Sequence, residues 1–423
     1  MREEQGGTGN RRLWWLLSST GAGNLADGIA KVAFPLLATT LTHDPVLIAG
    51  LSATQFLPWL LFGLIAGGLV DRLDRRRAMI LANIGRAVVI GALTVLIAAG
   101  GMSIWLVYAA ALLIGTAETV AESAANALIP SVVDERSLES ANSKLQACEI
   151  VGQTFLGGPV GSATFALFAL FPFLLTSAGF ALAAALLVGL AGSFRPKPVR
   201  EAGEDAPPTR LHTELLEGLR WLKGHPLLLR MVAVAGLLSL VSELAQAQLV
   251  LYALDDLRLS EATFGLFAFV GGIGGLLGAA AAPRMVRAAG RPAVLVAGIA
   301  CCGAGFGGMG LIRQPVVAAV LFGLFAAAIV VVNVVFATAR HTLVPGALLG
   351  RVLGVWRTVV WGAIPLGALL GGVLTEALGS ASKTFAVSGA GLLGVAVLTF
   401  FAFRRFSLDD ESASAGHAVH SDQ

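Results

Sequence analysis

Inside otherwise apolar stretches stand Asp27, Lys31, Arg86, Glu118, Glu122, Glu149 and Glu243. An ionisable group held at the middle of a membrane costs at least about 3 kcal/mol, so each position is a candidate for function. A carboxylate withdrawn from water binds a proton more readily, which suits it to reversible proton carriage. Acids exceed bases at these positions, so proton or cation binding is the chemistry to expect, centred on Glu118 and Glu243. Asp27 and Lys31 lie one helical turn apart on one face and are expected to pair. That pair either takes part in coupling or only holds its helices together. Pairing with a neighbouring carboxylate accounts for Arg86, and Glu122 and Glu149 fall toward the cytoplasmic edge.

Other chemistries find no support in the residue pattern. Cys148, Cys301 and Cys302 lie in apolar runs without CxxC or histidine partners, so neither a metal site nor a disulfide framework is expected. His417 and His420 sit in an acidic, small-residue tail. HExxH and GxSxG are absent, which argues against an enzyme embedded in the membrane. Gly379-Ser-Ala-Ser-Lys383-Thr384 lacks the glycine that a phosphate loop places before its lysine, so ATP hydrolysis is not expected. No cofactor is called for.

These side chains must be positioned by membrane helices. Of the 423 residues 56% are hydrophobic and only 13% charged, against about 25% charged in a soluble domain. Apolar runs long enough to cross roughly 30 Å of hydrocarbon recur between short charged gaps. Twelve spans are expected near 14–41, 46–70, 78–99, 103–126, 141–167, 171–193, 227–252, 261–283, 292–312, 315–338, 352–378 and 383–403. Basic residues concentrate in alternate gaps, such as Arg72 to Arg77, Arg195 to Lys223 and Arg284 to Arg291, and at both ends. The other gaps hold only Arg258, Arg313 and Lys383. Positive charge stays inside, so both termini are expected in the cytoplasm. The basic residues thus have a membrane explanation, and nucleic acid is not an expected partner.

The longest gap, 194–226, opens with Arg195-Pro-Lys-Pro and then carries Leu211, Leu215, Leu219, Trp221 and Leu222 at helical spacing. That pattern suits an amphipathic helix on the membrane surface. The expected organisation is an N-terminal bundle over 1–193, this linker, a C-terminal bundle over 227–405 and a disordered cytoplasmic tail over 406–423.

The halves repeat. At an offset of 215 residues Gly63 falls on Gly278, Arg72 on Arg287, Arg76 on Arg291, Pro130 on Pro345 and Gly157 on Gly372. One register holding from the second span to the fifth marks a parallel repeat, which places a substrate site between the halves near mid-membrane. In that register Lys31 falls on Gln246 and Glu118 on Asn333, and Glu243 lies one place from the match to Asp27. Asp27 is about 16 Å deep when counted from Leu16. Spans 1, 4, 7 and 10 therefore carry polar groups at matching depth. Gln55, Trp59, Gln153, Gln248, Trp356 and Trp361 are lesser candidates for the same wall. GxxxG pairs in spans 2, 5, 8 and 11 (Gly63 and Gly67, Gly157 and Gly161, Gly274 and Gly278, Gly367 and Gly371) are candidates for the seam between halves.

The loop Gly67-Gly-Leu-Val-Asp71-Arg72-Leu-Asp74-Arg75-Arg76-Arg77 resembles the major facilitator superfamily signature G-x-L-x-D-R-x-G-R-R. Asp74 stands where the signature has glycine, a variant similar to the branch of macrolide, multidrug and siderophore exporters. Asp27-Gly28-Ile29, Phe34-Pro35-Leu36, Arg86 and Ala127-Leu-Ile-Pro130 resemble that branch too. The resemblance implies the major facilitator fold: an all-α integral membrane protein of twelve helices in two six-helix bundles, working by alternating access. It implies a cytoplasmic latch in which Asp71 meets the N-terminal end of span 11, while Arg72, Arg75 and Arg76 bridge neighbouring spans from a loop that Gly67 opens. It further implies a monomeric, multi-pass protein of a bacterial inner membrane, exporting a drug, secondary metabolite or siderophore in exchange for protons. Gly157-Gly-Pro159-Val-Gly161 resembles the antiporter motif G-P-x-x-G-G, shifted and incomplete, and the span 4 arginine of many drug–proton antiporters is missing beside Glu118. Proton-coupled uptake of a small metabolite is the alternative.

Overall fold

The computed structural model of the chain describes residues 2–70, 73–133, 137–190, 192, 194 and 219–404. Asp71, Arg72, most of the linker and the tail fall outside the described residues. Within them every regular element is helical. Hydrocarbon offers the backbone no hydrogen-bond partners, so a spanning segment has to satisfy its own. Among the described residues helices stand at all twelve expected places, and nine are long and apolar enough to cross a membrane by length and composition. The other three depart from a plain apolar rod. The first runs Arg2–Leu41 and so begins in polar sequence ahead of the apolar run. Pro45–Leu61 within the second is a shorter apolar helix. The fifth is built of three pieces: Leu138–Glu149, a π-helical stretch Ile150–Gly157, and Gly158–Leu167.

The chain divides into two compact units. Met1–His43, Thr54–Glu204 and Leu259–Phe269 form the first; Asp44–Ala53, Asp205–Arg258 and Val270–Gln423 form the second. The start of span 2 and the start of span 8 are thus exchanged relative to a division at the linker.

In the first unit, span 1 and span 5 approach backbone to backbone. A side chain on Gly28 would stand 2.6 Å from Gln153 Cα, and one on Gly152 2.9 Å from Leu25 N. Gly157 meets Gly28, and Gly161 meets Ile29, in the same line of contact. The π-helical stretch lies along this crossing; such wide turns commonly mark functional sites. An uninterrupted span 5 was the simpler expectation from its apolar run. The glycines explain the departure, because they let the two backbones meet where α-helical side chains would hold them apart.

The second unit repeats this contact. Gly367 packs against Leu240 as Gly152 packs against Leu25, with both members shifted by 215 residues. Gly274 meets Gly323, Gly278 meets Ala327 and Gly371 meets Leu244. The glycine pairs of spans 5, 8 and 11, read from sequence as candidates for the seam between halves, thus find close neighbours inside their own unit. Span 7 is also broken. Its helix Pro226–Gln246 stops, resumes over Leu249–Leu251 and continues as a π-helical stretch Tyr252–Asp256. Asp256 then caps the last span: its Oδ2 accepts from Ser382 N at 2.5 Å and Ser382 Oγ at 2.6 Å. A carboxylate there offsets the partial positive charge of the helix N-terminus.

Arginines close the opposite helix ends. Arg75 Nη1 donates to Ala127 O at 2.8 Å, and Arg76 donates from Nε and Nη2 to Leu187 O and Val188 O, each at 2.8 Å. Both donate to carbonyls near the C-terminal ends of spans 4 and 6, where cations are favoured. Asp74 is the N-cap of Arg75–Ala98, accepting from Arg77 N at 3.0 Å, and its second oxygen accepts from Phe194 N at 3.1 Å. In the second unit Arg230 Nη1 donates to Ala402 O at 3.0 Å. Ala402 is the counterpart of Leu187 in the repeat, so the same helix end is closed from a different span.

The glycine crossing is testable. Gly157→Ala forces a methyl into Gly28 and is expected to destabilise by about 1–3 kcal/mol, the usual cost of overpacking. Gly85→Ala meets nothing within 4 Å and is expected to leave stability unchanged. Thermal unfolding of the detergent-solubilised protein compares the two.

Candidate functional site

Span 1 carries Asn24, Asp27 and Lys31 on one face, spaced three and four residues apart. Each finds a partner on a different helix. Arg86 of span 3 places Nη1 2.9 Å from both Asp27 oxygens, and the two side chains are buried. Arg86 Nη2 donates to Asn83 Oδ1 at 2.6 Å, and the guanidinium lies 4.1 Å from the centre of the Phe180 ring on span 6. Gln153, in the π-helical stretch of span 5, bridges the remaining two: its Nε2 donates to Asn24 Oδ1 at 2.7 Å, and its Oε1 accepts from Lys31 Nζ at 2.5 Å. The expected Asp27–Lys31 pair is therefore corrected. Both groups are on the predicted face, but Arg86 reaches both Asp27 oxygens from span 3, while Lys31 Nζ is taken by Gln153.

Two chambers open beside this network, both within the first unit. The first encloses about 780 Å³ of space including its mouth, and its wall is the more polar of the two: Asn24, Asn83, Arg86, Glu122, Glu149 and Gln153 face it among apolar neighbours. The second encloses about 600 Å³ and is walled by Lys31, Phe34, Gln55, Phe56, Trp59 and apolar neighbours. Among the described residues Asp27 and Glu118 line both, and no others are common to the two walls. Their states differ. Asp27 is held by Arg86, whereas Glu118 makes no hydrogen bond or ion pair among the described residues. Of the two carboxylates shared by the walls, Glu118 is the one without a fixed counter-charge among the described residues.

In the second unit Glu243 also makes no hydrogen bond or ion pair among the described residues. It stands against Gly367 of span 11 just ahead of the break in span 7. Gln246 Oε1 is buried without a partner there, while Gln248 Nε2 reaches Pro45 O at 3.1 Å. Asn333 is exposed. Trp356 lies under the Arg340 guanidinium at 4.2 Å and Trp361 under Arg357 at 5.2 Å, so both tryptophans are engaged by cations. Among the described residues no group of three or more His, Cys, Asp or Glu side chains is placed to hold a metal ion.

Asn24, Asn83, Phe180 and Phe56 were not singled out from the sequence. For Asn83 a signal existed, since it lies three residues before Arg86, which it accepts from; Asn24 shares the face of Asp27 and Lys31. Phe56 and Phe180 carried none, since a phenylalanine in an apolar run is equally at home facing lipid.

Helices throughout, a repeat expressed in packing, and polar chambers inside a helical unit define a multi-pass membrane transporter of the major facilitator fold. The family described as transmembrane secretion effector, within that superfamily, matches residues 10–421, and the chain belongs to it. The chain is 28% identical over 397 residues to the uncharacterized MFS-type transporter YfiS of Bacillus subtilis (strain 168), covering 92% of each. It is 27% identical over 404 residues to the multidrug efflux pump Tap of Mycolicibacterium fortuitum, covering 92% of this chain and 95% of that one. The fold is similar to that of the nucleoside transporter NupG, with a TM-score of 0.71 at 13% identity, covering 93% of this chain and 98% of that one.

The Asp27–Arg86 pair yields a second prediction. Arg86→Met leaves Asp27 buried and unpaired, which is expected to cost about 3–5 kcal/mol. Asp27→Asn added to Arg86→Met is expected to recover much of that loss, as read in a double-mutant cycle of thermal unfolding.

Proposed function

We propose that the protein exports a small organic molecule, such as a drug, secondary metabolite or siderophore, by alternating access in exchange for protons. Glu118 and Glu243 are the exchanging carboxylates, one in each half. The observation that carries this reading is the position of Glu118, unbonded and on the walls of both chambers, beside an Asp27 already neutralised by Arg86. A membrane carboxylate without a fixed cation is the group that gains most from protonation. Gln246 and Asn333 add polar surface on the other side of the repeat. Export as the direction is supported by the secretion-effector family and by the likeness to a multidrug efflux pump.

The protein acts as a monomer in a bacterial inner membrane with both termini cytoplasmic, as the gaps rich in arginine require. The signature loop is the cytoplasmic latch, in which Arg75 and Arg76 hold the ends of spans 4 and 6.

Substrate-dependent proton flux in proteoliposomes tests the coupling. The double variant Glu118→Gln, Glu243→Gln is expected to lose it, and wild-type flux from that variant would sink the proposal. Direction is read separately from a drug and siderophore susceptibility panel. Deletion is expected to sensitise cells and overexpression to protect them; the reverse pattern on any compound indicates uptake.

A further inference from the structure

We infer that the two chambers of the first unit have separate tasks, with Glu118 as the gate between them. The polar chamber delivers and removes protons through water. The aromatic chamber seats the ring-bearing part of the exported molecule. This inference rests on the proton-exchange reading of Glu118 and assigns the routes by which proton and substrate reach it.

The geometry points this way because the chambers share only Asp27 and Glu118. Asp27 is closed to exchange by both of its contacts with Arg86. A proton leaving the Glu118 carboxyl for the polar chamber therefore need not cross the aromatic one. The polar wall suits water. Arg86 is 4% exposed, and its Nε, like Thr20 Oγ1, is buried with no hydrogen-bond partner among the described residues. Both residues line this chamber. Buried polar groups of that kind are ordinarily satisfied by water. Glu122 and Glu149 line the same wall and are exposed to it, so each can pass a proton to and from chamber water.

The aromatic chamber is built differently. Phe56 and Trp59 present ring surface with the buried Phe34 behind them, which favours flat, ring-bearing molecules over chains or sugars. Phe34 is fixed from behind by Phe173, with ring centres 5.7 Å apart, whereas Phe56 is more exposed. Lys31 Nζ is engaged by Gln153 Oε1, which ties this chamber to the polar one through span 5.

The full-length protein in proteoliposomes, with ethidium as the ring-bearing probe, separates the tasks. Phe56→Ala and Trp59→Ala are expected to weaken ethidium binding about tenfold, the worth of one good ring contact, with the pH dependence of transport unmoved. Trp59→Phe, which keeps a ring, is expected to restore most of the binding. Glu122→Gln with Glu149→Gln is expected to slow transport and flatten its pH dependence, with ethidium affinity within about twofold of wild type, since no ring contact is lost. The inference is overturned if the acid variants weaken ethidium binding as strongly as the ring variants. It is also overturned if the ring variants alter the pH dependence, if Trp59→Phe behaves like Trp59→Ala, or if ethidium does not bind wild type. Glu118→Gln run alongside distinguishes the two levels. Wild-type pH dependence in that variant defeats the coupling reading itself, whereas loss of pH dependence with inseparable chambers defeats only the division of tasks.

Discussion

Arg86 reaches from span 3 to hold both carboxylate oxygens of Asp27 on span 1, and much of the first unit is arranged around that contact. A charge in this setting survives only when paired and hydrogen-bonded. Asn83 and the Phe180 ring supply the remaining support for the guanidinium. Because Asp27 is taken, Lys31 is released to Gln153 and Glu118 is left without a fixed counter-charge. One ion pair thus decides which of the neighbouring acids is paired and which is not.

The second condition is close packing without bulk. Gln153 can serve both Asn24 and Lys31 only because span 5 lies against span 1 at glycine positions, with a π-helical stretch setting the angle of its side chains. The counterpart contact between spans 11 and 7 uses Gly367 against Leu240, yet Glu243 occupies the place that Gly28 holds in the first half. The scaffold is shared by the two halves, while their polar chemistry is not.

Much of the fold was legible beforehand. A polar backbone in hydrocarbon has one solution, so apolar runs separated by arginine-rich gaps already mean helices at those places. The signature loop around Asp74 and Arg75 identified the superfamily, and the 215-residue register is expressed in packing, where Gly152 meets Leu25 and Gly367 meets Leu240. The same reasoning put Asp27, Lys31, Arg86 and Glu118 inside the membrane and named them as the groups to explain. Their partners were less legible. Helical spacing reports which residues share a face, and it led to Asp27 pairing with Lys31, because that was the nearest opposite charge along the chain.

What the sequence determined by itself is therefore the solvent, the helices, the repeat and the identity of the expensive charges, all of which depend on composition and on local periodicity. Only the tertiary structure decided that Arg86 takes Asp27, that span 5 widens where it meets Gly28, and that Glu118 faces two chambers at once. Those outcomes depend on which side chain reaches which neighbour across helices far apart in sequence. The distances that set such a competition exist only after the helices have packed.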